Sequence, residues 1–275
     1  MADNVFYHYT DFQALDGILR CAQLRVNNVL RMNDSAEMRH FMVRLASAIV
    51  LRLKDGGDHA HAQTAAAFFQ EELRKEYTAF AACFSFRRDD AAQWERYGNW
   101  GRGVCIAFQG DLLRQLAAGP LSLHTVFYAD DMTGHPMVDR FCRLARRKDT
   151  LSAADPDIQA ALRDAWACSV AFKHPSFSSE DEVRLVVAPF GQEGFDMKPC
   201  YHITRERIKK YYPLDLREMC RKAGASMEEL VAEIIIGPES TQSQAMLQDY
   251  LRDQGLGALA PRVFLSDCPL RGMPK

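Results

Sequence analysis

Two stretches of this chain, far apart in sequence, carry residues whose types and spacing can do chemistry. The first is Val5-Phe-Tyr-His-Tyr-Thr10, which sets one histidine in a short apolar run. Strand alternation puts Phe6, His8 and Thr10 on one face and Val5, Tyr7 and Tyr9 on the other. An imidazole and a hydroxyl side by side on one face can hydrogen-bond a single ligand. The plain alternative is a core histidine satisfied by a neighbouring backbone group. The second stretch is Glu180-Asp-Glu-Val-Arg184, which leads into the apolar run Val183, Leu185 and Val187. Glu182 and Arg184 then share the opposite strand face, either as a solvated surface pair or facing a cleft.

Between these stretches lie Trp94 and Tyr97, spaced to share a helix face, either as ligand contacts or as core anchors. They precede Gly98-Asn-Trp-Gly-Arg-Gly103, a glycine-rich bend that lets backbone approach a ligand closely. Ser85 ends an apolar strand expected over Thr78–Phe86. His59 and His61 point in different directions on a helix and read as surface residues. Metal ligation by them is a remote option, and the chain has no C-x-x-C or H-E-x-x-H pattern.

Elements that can position these groups follow from periodicity. Asp11 can cap a short helix running to Arg20, and Leu24–Asn27 reads as a strand. Asp34 and Glu37 have the spacing of a capping box, so Asn33, Asp34 and Glu37 are either only a helix start or part of a site. Met38, Phe41, Met42, Leu45, Ile49 and Leu53 then form its apolar stripe. A second helix spans His59–Glu76, and Gly103–Phe108 returns as a strand before a helix at Gly110–Ala117. Ser122–Ala129 reads as a strand. Helix Met137–Lys148 presents Arg140, Arg143, Arg146, Arg147 and Lys148 as a basic stripe, either a solvated face or a contact for nucleic acid or an acidic partner. A long helix from Asp155 to about Phe172 leads to a strand at Asp181–Pro189. Lys198–Thr204, Tyr211–Leu214, Val231–Gly237 and Arg262–Leu265 read as strands, with helices at Leu216–Ala223 and Gln242–Gln254.

The irregular alternation of strands and helices predicts an α+β fold rather than a doubly wound sheet. With 275 residues, 48% of them hydrophobic and 25% charged, the chain can bury a large core, and no linker or repeat divides it. A formal net charge of -2 gives no global attraction to nucleic acid or anionic membrane. Eight dispersed cysteines indicate reduced thiols. No secretory signal or bilayer-length apolar run is evident, so the expected location is cytoplasmic with no membrane partner.

Taken together, His8-Tyr9-Thr10, Asn33-Asp34 with Glu37, Phe84-Ser85, Trp94 with Tyr97-Gly98, Gly103-Val-Cys-Ile106 and Glu180-x-Glu182-x-Arg184 resemble a widespread uncharacterised family of bacterial proteins, from Val5 to about Val187. They also resemble the ADP-ribosyltransferase superfamily. That resemblance implies a mixed β-sheet core with inserted and flanking helices, a single domain over 1–275 with helical insertions at about 34–76 and 135–172, and NAD as co-substrate without a metal. It implies that His8 holds a ribose hydroxyl, with Tyr9 and Thr10 beside it. Ser85 matches the central serine, Tyr97 stacks on the nicotinamide, and Trp94 substitutes if the helix turns differently. Glu182 is the implied catalytic glutamate, and Glu180 gives the E-x-E of arginine-modifying members. The chain departs from those members in having His8 where they carry arginine, and Cys83-Phe-Ser85 in place of S-T-S.

Cleaving the nicotinamide–ribose bond develops positive charge on the sugar, which a carboxylate at the 2′-hydroxyl stabilises where it forms. Arg184 would hold Glu182 in place or meet the pyrophosphate, and Glu180 would orient or deprotonate the acceptor. The implied acceptor is a macromolecule, protein or nucleic acid. Bacterial enzymes of this type often act as toxins or phage-defence effectors, some with a neutralising partner protein. Two other readings remain open at this point. One is a nucleotide- or partner-binding module without turnover. The other is an RNA-processing nuclease using His8 and the basic helix.

Overall fold

The computed structural model describes residues 5–29, 37–75, 79–118, 121–148, 150–187, 197–203 and 208–270. A ten-stranded sheet organises them. Its strands are β1 (Val5–Thr10), β2 (Gln23–Asn28), β3 (Phe80–Ser85), β4 (Val104–Gln109), β5 (Leu121–Thr125), β8 (Glu182–Val187), β9 (Cys200–Ile203), β10 (Ile208–Asp215), β11 (Val231–Ile236) and β12 (Val263–Leu265). Two short strands, β6 (Phe127–Tyr128) and β7 (Phe172–Lys173), pair separately. The main sheet is antiparallel except where β11 runs beside β12. The fold is thus mixed α+β, as the pattern of elements predicts.

Strand alternation sends the two faces of this sheet into two cores. Phe6, Phe80, Ala82, Phe84, Val183, Leu185 and Val187 pack under α1 (Phe12–Leu19), α5 (Gly110–Leu116), α8 (Leu216–Lys222), α9 (Met227–Leu230) and α10 (Gln244–Asp253). Ala81 and Val186, on the opposite face, pack under α2 (Glu37–Asp55), α3 (His59–Glu72), α6 (Pro136–Arg147) and α7 (Pro156–Val170). The two stretches expected as separate insertions therefore meet in one helical layer. Met38, Phe41, Met42, Leu45, Ile49 and Leu53 are all buried there, as their spacing predicts. Glu37 begins α2, while Asn33 and Asp34 lie outside the described residues.

The feature that shapes the site is a split in the sheet. β8 pairs with β3 along its whole length, from Phe80↔Val187 to Ser85↔Glu182. The other edge of β3 is shared. β1 meets it at Tyr7↔Ser85, and β2 meets it at Asn27↔Ala81 and Asn28↔Phe80. Strands β1 and β2 therefore diverge over the middle of β3. Asp11 ends β1 and caps α1 by accepting from the Ala14 amide at 2.7 Å, so the chain leaves the split in a fixed direction. No helix among the described residues is long and apolar enough to cross a membrane.

Candidate functional site

The split opens into a cleft of about 620 Å³ lined by β1, α1, β2, the middle of β3, Gln93, Tyr97, Glu180, Glu182 and the β9–β10 pair. On its floor the Cys83 carbonyl accepts from His8 Nδ1 at 2.8 Å instead of from a strand. A carbonyl can only accept, so Nδ1 carries the proton and Nε2 of the neutral ring is an acceptor. Burial lowers the His8 pKa below its usual 6.5, outweighing the opposite effect of the Cys83 bond. His8 and Thr10 both line the cleft, as do Tyr7 and Tyr9 from the face expected to be opposite. The Tyr9 hydroxyl is used internally, donating to the Arg87 carbonyl at 2.6 Å and accepting from the Asp90 amide at 3.0 Å.

Glu180 and Glu182 sit at the β1 end of the cleft, in a buried charge cluster. Arg184 grips Glu182 through two parallel bonds of 2.9 and 3.0 Å, and Lys173 Nζ lies 3.0 Å from Glu182 Oε2. Burial pushes the Glu182 carboxyl up, but the Arg184 and Lys173 charges outweigh it and hold the group below its usual 4.5. Lys173 also bonds Glu180, which accepts from Arg96 at 2.9 Å and from the Tyr97 hydroxyl at 3.0 Å. The same cluster affects Cys83, whose thiol burial and Glu182 push well above its usual range. Tyr97 lies 38% exposed and lines the cleft.

Three expected site residues do not reach the cleft. Arg184 is 1% exposed and also donates through Nη1 to the Val170 carbonyl at 2.7 Å, so it holds Glu182 and cannot meet a pyrophosphate. The solvated-pair alternative for Glu182 and Arg184 falls with the same burial. Ser85 donates to the Glu180 carbonyl at 2.6 Å and accepts from the Arg87 amide at 3.0 Å, which fixes the loop carrying Glu180 rather than a ligand. Trp94 is fully buried, with its indole donating to Asp89 at 2.7 Å. It therefore cannot substitute for Tyr97. The two aromatics diverge because α4 (Ala91–Arg96) ends at Tyr97, whose φ of -123° is no longer helical.

The glycine-rich bend also serves packing rather than a ligand. A Cβ on Gly103 would lie 2.1 Å from the Thr10 carbonyl, and one on Gly98 would lie 2.4 Å from the Trp94 ring. The basic stripe of α6 is largely cancelled: Arg140 pairs with Asp164, Arg146 with Asp58 and Lys148 with Asp155. Among the described residues no group of side chains is arranged to hold a metal.

Sequence reasoning missed Lys173, Gln93 and Arg96. Lys173 reads as a loop residue, and nothing local signals that two distant glutamates need a cation between them. Gln93 had a signal, since it lies one helical turn before Tyr97. Its side chain donates to the Glu180 carbonyl at 3.1 Å. A family model described as a protein of unknown function (DUF2971) matches residues 93–185, which span α4 to β8 and include Gln93, Tyr97, Lys173, Glu180 and Glu182. No curated protein and no solved structure matches the chain.

Proposed function

We propose that the protein is an NAD-dependent ADP-ribosyltransferase whose reaction centre is the β1 end of the split-sheet cleft. The observation that carries this reading is the convergence of His8, Thr10, Tyr97 and the Glu180-x-Glu182 pair on one cavity, from three segments well separated in sequence. His8 Nε2 accepts from a ribose hydroxyl, and Thr10 adds a second polar contact. Tyr97 holds the nicotinamide ring flat and shields it from water. The bond from ribose C1′ to the nicotinamide nitrogen breaks, and nicotinamide leaves with the electron pair. Glu182, ionised and fixed by Arg184 and Lys173, stabilises the developing oxocarbenium. The acceptor nucleophile closes on C1′ and releases its proton to solvent. Glu180 is the positioning residue for Tyr97 and Arg96. The acceptor is a macromolecule, and a toxin or defence role with a neutralising partner fits the enzyme class.

One observation favours a second reading, a nucleotide-binding module without turnover. Glu182 already accepts from three cationic donors and is only 6% exposed. A carboxylate so satisfied can serve as structure alone.

The test is to incubate labelled NAD with bacterial lysate and either wild-type or Glu182→Gln protein, following nicotinamide release and transfer of label. Urea denaturation of both confirms that the variant is folded. Transfer by wild type that Glu182→Gln lacks is the expected result. Binding of NAD with no release by wild type supports the second reading instead.

A further inference from the structure

Among the described residues, charge around the cleft is balanced except at one end. Glu180 and Glu182 are matched by Lys173, Arg96 and Arg184. On α1, Asp16 is held by Arg20 at 2.7 Å and by the Tyr250 hydroxyl at 2.6 Å. Asp11 is engaged at the start of α1. Arg25, Lys209 and Lys210 also line the cleft, beside His202. Among the described residues no carboxylate lies within ion-pair distance of any of these three cations.

Their placement follows from strand register. Lys209 pairs with His202 and Lys210 with Tyr201 across β9 and β10, while Arg25 of β2 opposes Pro213 of β10. Arg25 lies 5.0 Å over the Tyr211 ring, and the Lys210 ammonium lies 5.9 Å over Phe80. Aromatic faces thus hold two of the three charges in place without neutralising them. Neighbouring residues on a strand point to opposite faces, yet both lysines border the cavity. The cleft therefore wraps the strand end and presents cations from both sides of the sheet.

We infer that this end of the cleft, walled by Arg25, Lys209 and Lys210, is a phosphate subsite. Cations that border one cavity and have no carboxylate partner among the described residues suit a phosphate, which arginine and lysine hold through charge-assisted donors. Phe80 and Ser85 bound β3 about 17 Å apart at 3.4 Å per residue. A ligand that reaches from the Glu182 end to the Lys210 end is therefore extended, with its uncharged ring and its phosphates at opposite ends. The identity of that ligand as a dinucleotide rests on the proposed function; the phosphate subsite does not. Two phosphate positions share this chemistry, the diphosphate bridge and a monoester on the adenosine ribose.

The experiment is calorimetric titration of the full chain with adenosine 5′-diphosphate, adenosine 2′-monophosphate and adenosine, using wild type, Arg25→Gln and a Lys209→Gln/Lys210→Gln double variant. Glutamine keeps much of each stem over its ring and removes the charge. The double variant is expected to weaken one or both phosphorylated ligands by about tenfold, while adenosine binding is unchanged. Which of the two is weakened identifies the phosphate position. Wild-type affinity for that ligand is also expected to fall with added salt. Equal affinity of wild type and both variants for both phosphorylated ligands, or no binding of either by wild type, overturns the subsite. Because no turnover is measured, a protein that binds diphosphate through these lysines but never cleaves NAD keeps the subsite and loses the transferase reading.

Discussion

The two ends of the cleft handle charge in opposite ways. At the β1 end, Glu180, Glu182, Lys173 and Arg184 are all nearly inaccessible, and each ion is matched by a partner within hydrogen-bond reach. At the β10 end, Arg25, Lys209 and Lys210 are exposed or half-buried and lack acidic partners among the described residues. Buried charge has to be paired within the fold, because water cannot solvate it, so that end is rigid and ready before any ligand arrives. Exposed charge is stable in water by itself and remains available to a ligand. On the proposed reading, the contrast separates a part of the cleft that acts on a bond from a part that holds an anion.

The largest effect should come from breaking the buried end. Arg184→Leu leaves Glu182 with Lys173 as its one cationic partner and strands the Val170 carbonyl. We expect a loss of about 3–5 kcal/mol in urea denaturation, the range for removing one partner of a buried pair. A loss under about 1 kcal/mol, the range of an exposed pair, would mean that the cluster is solvated and the contrast false.

A second test uses pH. Glu182 sits below its usual 4.5 in the folded state, so its ion pairs stabilise the fold fully above pH 4.5 and lose that contribution as pH falls through the folded value. Urea stability of wild type should therefore drop below pH 4.5 more steeply than that of Glu182→Gln. Parallel profiles would remove Glu182 from the account of acid stability. Above pH 6.5 His8 is already neutral, and ligand affinity should not change through that group.

The smallest effect concerns α6, the region that looked basic in sequence. Arg143→Gln/Arg147→Gln should leave both urea stability and the affinity for adenosine 5′-diphosphate unchanged. Loss of ligand affinity in this variant would show that the basic helix belongs to the site.

How much of this was legible depends on the range of each interaction. The Asp11 cap, the α2 stripe and the alternation of β8 are local, and each stands where its pattern puts it. For His8, Thr10, Tyr97, Glu180 and Glu182, type and spacing left a structural role open and the resemblance singled them out; all five line one cleft. Their convergence depends on how β1 and β2 divide one edge of β3, and no local pattern reports that register. The same limit hid Lys173 and made α6 look free, since Asp58, Asp155 and Asp164 come from other segments. The shared helix face expected of Trp94 and Tyr97 fails for a different reason. Helical spacing was extended across a residue where the helix had already ended.

The central claim is that one cleft divides cleavage and phosphate binding between its two ends. Its most direct test is the kinetics of nicotinamide release from NAD by wild type, Glu182→Gln and Lys209→Gln/Lys210→Gln. The account requires Glu182→Gln to lower kcat by about 100-fold, and the lysine variant to raise KM more than it lowers kcat. Equal loss of kcat in both variants, or no release of nicotinamide by wild type in the presence of lysate, would contradict it.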